Sequence, residues 1–326
     1  MVLNLGEYPH AKKAGRAPIA AKMETVEIDK ILVNDRSFCV SYPLEDAHLF
    51  ASVARFGVLV PLSLLRRDNP VVVTGFKRLD AARRLGIEEL PCVFLDISER
   101  QALLTAIHDN ITRPLNTVEK ALCIDKMLAA GFEVKEVYEV MTILGLPPRQ
   151  NVLKTATSAA WAEEQAKSFI VKHQLPLTLV EQLFSFDAEE RHSIIRLADA
   201  VHGTVSSLRE MLHLMMLLKV KRGAVDFEQL DGAKDADAIR QRLKRQTNPL
   251  LSDLEEKLGR LLCAAALPPS IKVRVDPAFE KESIDISLRA GSSREIEEAL
   301  KKLECLTGQG LFRSIFELTH GTPHRL

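Results

Sequence analysis

The chain has 326 residues, of which 46% are hydrophobic and 27% charged, the balance of a globular protein of roughly two or three domains. The 44 basic and 44 acidic side chains cancel, which counts mildly against nucleic-acid binding. This does not exclude it, because acidic faces elsewhere can offset a basic patch.

Residues 1–22 and the cysteines indicate the compartment. The first 22 residues mix Gly, Pro, Ala and Lys, which predicts a disordered arm and lacks the apolar core of a secretory signal. The five cysteines are scattered without a C-x-x-C pair, which argues against a zinc site and against disulfides. No apolar run reaches the ~20 residues of a membrane-spanning helix. We therefore expect a cytoplasmic protein that does not enter a membrane.

Residues 23–115 predict a small mixed α/β domain. Apolar spacing, Gly and Pro breaks and a Ser cap delimit its elements. In chain order they are a helix over 44–56, strands over 61–65 and 71–74, a helix over 78–85, a strand over 91–95 and a helix that begins after Ser98.

Residues 116–221 predict an all-helical domain, opened by the capping box Asn116-Thr117-Val118-Glu119. Within it, residues 133–155 fit a helix-turn-helix with Gly145 in the turn. Val134, Val137 and Met141 would lie on one face of the first helix. The second helix would begin near Pro147 or Pro148. It would expose residue types that contact base edges and phosphates, namely Arg149, Gln150, Asn151 and Lys154.

The C-terminal third changes character twice. Residues 222–248 are polar and include a basic cluster (Arg240, Arg242, Lys244, Arg245), which favours an interdomain linker or, equally, the solvated face of a helix. Residues 249–326 predict a helix, two strands of alternating polarity and a second helix capped at Ser292. The first helix would carry its leucines from Leu250 to Leu262 on one side, and the second would turn Ile296, Ala299, Leu300 and Leu303 inward. Such an αββα unit is small, so we expect it to dimerise through 249–305.

Two clusters in the first domain could carry chemistry. Thr74-Gly75-Phe76-Lys77-Arg78 lies between a strand and a helix, where free amides and two cations suit an anion; an exposed basic turn is the alternative. Asp109-Asn110-Ile111-Thr112-Arg113 could hold a hard cation through Asp109 and Asn110 and a phosphate through Arg113. A plain helix end is the alternative there.

Together these clusters resemble the N-terminal domain of ParB-type partition proteins, which has the sulfiredoxin-like fold. The run from Gly57 to Gly86 resembles the segment that leads to the family's Gly-Glu-Arg-Arg box, and Asp109-Asn110-x-x-Arg113 looks like its Glu-Asn-x-x-Arg box. The resemblance is good over 26–155, weaker over 156–220 and at the level of pattern over 249–305. It implies an α+β protein with a helix-turn-helix middle domain.

The resemblance also implies a function. It implies double-stranded DNA as a partner in plasmid or chromosome partition or in transcription regulation, association with a nucleoid or plasmid, and a partition ATPase partner. It assigns CTP phosphates to residues of both boxes and Mg²⁺ to Asp109 and Asn110. The phosphate set is Thr74, Gly75, Lys77, Arg78, Asn110 and Arg113.

Phe76 departs from the family at the position of the Glu that is associated with nucleotide turnover. Phenylalanine cannot act as an acid, a base or a metal ligand, so at most weak CTP hydrolysis is expected. One alternative is an enzyme of the same fold, namely a kinase, a nucleotide hydrolase or a nuclease. Another is a non-catalytic scaffold whose pocket is empty. A sulfiredoxin is disfavoured because its nucleophilic Cys is replaced by Phe76.

Overall fold

The computed structural model of the chain describes residues 22–279, 281 and 283–319. The chain divides into two compact units, one up to Asp187 and the other from Ala188. This division falls inside the helical region predicted over 116–221, since the first helices of that region belong to the same unit as the N-terminal sheet. Apart from Lys22, the predicted arm lies outside the described residues.

A four-stranded sheet is the base of the first unit. Its strands are β1 (Met23–Glu27), β2 (Leu62–Leu65), β3 (Val71–Thr74) and β4 (Glu89–Leu95), in the order β1-β4-β2-β3. Strand β2 runs parallel to β4 and antiparallel to β3. All four residues of β3 are buried, in keeping with the β-branched sequence that favours a covered strand. Strand β1 was not predicted, because the sequence indicated only that a folded region begins near this point.

Three helices accompany the sheet: α1 (Ala47–Phe56), α2 (Phe76–Arg84) and α3 (Glu99–Ile111). Helix α2 starts two residues earlier than predicted, because Gly75 is its N-terminal cap. Ser98 caps α3 with a complete capping box, in which Gln101 Oε1 accepts a hydrogen bond from the Ser98 amide. The mixed α/β character predicted for this part of the chain is confirmed.

Five further helices complete the first unit: α4 (Thr117–Ala129), α5 (Val134–Ile143), α6 (Gln150–Ala160), α7 (Glu164–Lys172) and α8 (Leu177–Leu183). The capping box predicted at Asn116 is present at the start of α4. Helix α4 packs against α5, α6 and α7. Of the three α5 residues predicted to share a face, Val137 and Met141 are buried and Val134, the first residue of the helix, is exposed; Val140 is buried as well.

The second unit begins with α9 (Ala188–Ala200) and α10 (Val205–Arg222), followed by a 3-10 helix (Glu228–Leu230) and α11 (Ala236–Thr247). Residues 222–248, predicted as a linker or a solvated helix face, therefore contain a helix. Ile239 and Leu243 are buried where α11 packs against α10. The linker prediction is wrong for the residues of α11. Two apolar side chains four positions apart lie on the same face and anchor the helix, although its other faces are charged.

The remaining elements are α12 (Pro249–Ala264), β5 (Ile271–Val275), β6 (Ile284–Leu288), α13 (Ser293–Gly308) and α14 (Leu311–Thr319). The predicted helix-strand-strand-helix order is present, and α14 is an addition that supplies Ile315 to the core. Ser292 caps α13, while Glu295 accepts from the Gly291 amide. The apolar side chains expected to face inward on α12 and α13 do so only in part, since Leu250, Ile296 and Leu300 are exposed.

Candidate functional site

Gly75 fixes the geometry at the junction of β3 and α2. It has φ 101° and ψ 19°, in the left-handed region that favours glycine. A Cβ at this position would lie 2.9 Å from Leu62 Cγ and 3.4 Å from the Arg78 guanidinium carbon. The turn therefore requires glycine for two reasons, its backbone conformation and the closeness of its neighbours. It leaves the N-terminal end of α2, with its partial positive charge, beside Arg78.

Phe76 is turned into the core. Its side chain is 4% exposed, and the Arg36 guanidinium carbon lies 5.6 Å from the ring centroid. Arg36 Nη1 is buried and has no hydrogen-bond partner among the described residues. Position 76 thus offers no group for proton transfer or metal binding, in agreement with the sequence interpretation.

Lys77 and Arg78 are both held by contacts on the protein. Lys77 Nζ lies 3.6 Å from Asp46 Oδ2. Arg78 Nη1 donates to the carbonyl oxygens of Val60 at 2.6 Å and Pro61 at 2.7 Å. Burial lowers the pKa of Arg78, and the nearby Asp109 carboxylate opposes that shift. Both cations are half-buried and held close to the N-terminus of α2.

Thr74, the first residue of the predicted cluster, has a different environment. Its hydroxyl is buried and donates to Ser63 Oγ at 3.0 Å across the β2–β3 pair. The Thr74 side chain thus links two strands of the sheet.

The second cluster is organised by Arg113. Its Nη1 and Nη2 donate to Glu119 Oε2 at 2.8 Å and Glu119 Oε1 at 2.5 Å, and Nη2 also donates to Asn110 Oδ1 at 3.1 Å. The Glu119 side chain is 1% exposed, against 37% for Arg113. Hydrogen bonding to Glu119 raises the pKa of Arg113. The bidentate pair fixes the guanidinium at the junction of α3 and α4.

The two residues predicted to hold a metal differ in their availability. Asp109 is exposed. Asn110 Oδ1 accepts from Ser41 Oγ at 3.3 Å as well as from Arg113, which occupies both of its acceptor positions. In the part of the chain that the structure describes, no group of three or more His, Cys, Asp or Glu side chains could hold a metal ion. Of the pair, Asp109 is the one with an accessible oxygen donor.

Two residues to which the sequence interpretation gave no role in the site, Asp46 and Glu119, contact its cations. Asp46 caps α1 by accepting from the Leu49 amide; this hydrogen bond, together with Lys77, lowers the pKa of Asp46. The same carboxylate interacts electrostatically with Arg113 and contacts Lys77, so one acidic group acts on a cation of each cluster. Glu119 was identified only as a capping residue, and its spacing from Arg113 gave no signal of an ion pair.

Cys92 bears on the enzyme alternative. It is buried in β4, and burial raises the pKa of its thiol to about 11. Little thiolate is present at neutral pH, so Cys92 lacks the character of a catalytic nucleophile.

The predicted DNA-contacting residues cluster at the start of α6. Arg149, the N-terminal cap, directly follows Pro148, and Gln150 is the first residue of the helix, so α6 begins after the two prolines and not at either of them as predicted. Arg149, Gln150, Asn151 and Lys154 are all exposed. On its other side α6 buries Leu153, Ala156 and Ala159, so the polar face is presented by a helix that is anchored in the core.

Comparison with known proteins defines the class. The chain is 30% identical to the probable plasmid-partitioning protein ParB of Thermus thermophilus over 254 residues, an alignment that covers 70% of this chain and 79% of that protein. It is 29% identical over 129 residues to the probable chromosome 1-partitioning protein ParB of Deinococcus radiodurans, covering 39% of this chain and 45% of that protein. The chain belongs to the ParB family of partition proteins. No protein-family model matches it.

Solved structures of C-terminally truncated chromosome-partitioning ParB from Caulobacter crescentus are also similar. The complex with the centromeric parS site has 13% identity and a TM-score of 0.32, covering 58% of this chain and 98% of that one. The complex with CTP-γ-S has 18% identity and a TM-score of 0.24, covering 54% and 97%.

The requirement for glycine at position 75 can be measured. We expect Gly75→Ala to lower the free energy of unfolding through about 1–3 kcal/mol of backbone strain and a similar further loss from overpacking against Leu62. Gly86→Ala is the matched control, because Gly86 also has a positive φ of 69° but no atom within 4 Å of an added Cβ. Urea unfolding of both variants measures the difference, and equal losses would contradict the close approach at Gly75.

Proposed function

We propose that this protein binds duplex DNA through α6 in the partition of a plasmid or chromosome, and that a CTP-type nucleotide bound beside α2 gates this binding. The observation that carries the proposal is the exposed face at the start of α6. It lies in the same compact unit as the paired cation clusters. The relatives named as partitioning proteins support the biological role.

The α6 face has the chemistry of a recognition helix. Asn151 and Gln150 carry amides that pair with adenine edges in the major groove, whereas Arg149 and Lys154 suit guanine or phosphates. Helix-turn-helix proteins insert the N-terminal residues of the second helix into that groove. Here the preceding helix α5 ends at Ile143, and the tight turn at Gly145 leads to α6.

The clusters beside α2 suit a nucleotide triphosphate. Lys77, Arg78 and Arg113 supply three cations, and the amides at the start of α2 supply dipoles that favour an anion. Arg78 and Arg113 already bond to protein acceptors, which orients their guanidinium groups in advance. CTP is the nucleotide that the family resemblance implies.

A magnesium ion fits this site in a limited way. Mg²⁺ is often held by one or two carboxylates together with substrate phosphates and water, and Asp109 offers one such carboxylate. Asn110 would have to release Ser41 or Arg113 to join it. The ion would neutralise phosphate charge when bound, while Lys77, Arg78 and Arg113 bind and orient the nucleotide.

Binding rather than turnover is the role we assign to the pocket. Hydrolysis needs a group that positions or activates water, and the buried Phe76 replaces the family's carboxylate at that position. Arg113 would be drawn toward phosphates and away from Glu119, which lies on the helix that packs against α6. Because Arg113 would be shared between the nucleotide and Glu119, nucleotide binding would alter contacts of α4, the helix next to α6.

Dimerisation through residues 249–305 is part of the proposal. Helix α13 exposes Ile296 and Leu300, at 43% and 57%, and β6 exposes Ile286 and Leu288, at 44% and 38%. Covering such side chains is favourable, and a second copy of the same surface is self-complementary in a two-fold dimer. Two copies would also present two α6 helices to two DNA half-sites.

Nucleotide binding is tested by thermal denaturation with Mg²⁺ and CTP, ATP or GTP. A ligand that binds only the folded state stabilises it by about 2.7 kcal/mol at a hundred times its Kd, so CTP should raise the melting temperature. Lys77→Ala should largely remove this shift, because a charge-assisted contact contributes about 1.5–3 kcal/mol. Arg84→Ala, which removes a surface cation from the same helix, should retain it. Absence of a shift with every nucleotide would contradict the pocket.

DNA recognition is tested with duplexes that the wild-type protein selects from a randomised pool. Asn151→Ala should lose about 1–3 kcal/mol of affinity for the selected duplex and little for unselected DNA, since base contacts carry discrimination. Lys154→Ala should weaken both, and Arg83→Ala, an exposed cation on α2, should weaken neither. Fluorescence anisotropy measures the affinities. Failure to select any sequence would overturn recognition by α6.

The dimer is tested by sedimentation velocity. We expect the wild-type protein to sediment as a dimer and Leu300→Glu to sediment as a monomer, because a buried unpaired carboxylate is costly. Val220→Glu is the control, since Val220 is 81% exposed on α10, outside the proposed interface. A monomeric wild type, or a dimeric Leu300→Glu variant, contradicts the assignment.

A further inference from the structure

A cavity lies on the buried side of α6, inside the first unit. It has a volume of about 290 Å³ and is formed where the turn between α5 and α6 meets α4 and the start of α8. Its walls are mainly apolar, with Ala121 on α4, Leu146 and Pro147 in the turn, Ala156 on α6 and Leu177 on α8. At about 30 Å³ for each water-sized group, the space suits a ligand of about ten non-hydrogen atoms.

The polar side chains of this cavity are one cation and two hydroxyls. Lys120 and Thr117 come from the beginning of α4, and Thr178 comes from the beginning of α8. The Thr117 hydroxyl donates to the Leu175 carbonyl oxygen at 2.6 Å, which uses its proton. None of the described residues that line the cavity is acidic. The cavity therefore combines apolar walls with a single positive charge.

Lys120 has no partner for its charge among the described residues. Its side chain is half-buried and forms neither an ion pair nor a side-chain hydrogen bond with them. Its Nζ lies 4.0 Å from the position of a Cβ built on Gly145, just beyond the last turn of α5, where the helix dipole favours a cation. The dipole accounts for the position of the ammonium but uses none of its three N–H donors. An anion in the cavity would pair with them.

We propose that this cavity binds a small amphipathic carboxylate, a monoanion whose apolar body has about six to eight carbon atoms. The carboxylate pairs with the Lys120 ammonium through a charge-assisted hydrogen bond, and the apolar body lies against Leu146 and Ala156. A neutral apolar molecule would leave the ammonium unpaired. A phosphate ester would bring more negative charge into an apolar space than one lysine can neutralise, which is costly.

This site goes beyond the proposed function, because it uses neither the exposed face of α6 nor the cations beside α2. Leu146 and Pro147 form one of its walls, so the bound carboxylate contacts the segment that leads into α6. The ligand is small and largely enclosed, which distinguishes this site from a surface that docks another macromolecule.

Octanoate is the probe, because it joins one carboxylate to an apolar chain of matching size. Calorimetric titration into the whole chain should give saturable binding. Octanamide, which has the same length and no charge, should bind about tenfold to a hundredfold more weakly, because it lacks the charge-assisted contact. Butanoate, which keeps the charge and loses most of the apolar contact, should bind at least about tenfold more weakly.

Lys120→Met isolates the contribution of the ammonium, because methionine keeps an unbranched apolar stem. Its affinity for octanoate should fall about tenfold or more, whereas Lys120→Arg, which restores a cation, should bind nearly as well as the wild type. Lys135→Met is the matched control, since Lys135 is exposed on α5 and does not line the cavity, and it should leave the affinity unchanged. Circular dichroism confirms that the variants are folded.

Three results would overturn this site. The first is a wild-type protein that gives no saturable binding of octanoate, and the second is equal affinity for octanoate and octanamide, a comparison that needs no variant. The third is an equal effect of Lys120→Met and Lys135→Met, which would indicate general attraction to surface charge. Each of these leaves the proposed binding of DNA and nucleotide standing, because those sites use other residues.

Discussion

The buried carboxylate of Glu119 is the interaction on which the first unit depends. It accepts two hydrogen bonds from Arg113, one from the Tyr42 amide at 3.3 Å and one from the Asn116 amide at 3.1 Å. A buried charge is tolerated only when it is paired and hydrogen-bonded, and this one is satisfied by three separate segments. It ties the loop before α1, the end of α3 and the start of α4 to one point.

This arrangement gives Arg113 two roles. It is the structural partner of Glu119, and it is the cation that the second cluster would offer to a phosphate. A nucleotide that draws Arg113 away would leave Glu119 short of its strongest donor, and the loss of a buried partner is typically worth about 3–5 kcal/mol. Because α4 packs against α6, such a change would reach the helix whose exposed face is proposed to contact DNA.

The sequence predicted local features well and tertiary ones poorly. Residue type and spacing predicted the glycine turn at Gly75 and the capping box at Asn116, and both are present in the structure. The linker prediction failed because Ile239 and Leu243 give too weak an apolar pattern among the eight charged or polar residues of α11, although they anchor that helix. Leu300 was expected inside because its pattern is amphipathic, and pattern does not say whether an apolar face meets its own chain or a second copy. The pairing of Arg113 with Glu119 depends on where α3 and α4 meet, which no local spacing encodes.

Calorimetric titration of CTP and Mg²⁺ into the protein, with and without the selected duplex, tests the coupling most directly. If Arg113 is shared between phosphate and Glu119, CTP binding and DNA binding must alter each other's affinity by the same factor, as linkage requires. We predict that DNA changes the Kd for CTP, and that CTP changes the Kd for DNA, by about 5- to 150-fold, the usual range of such coupling. A Kd for CTP that is identical with and without DNA would contradict the account.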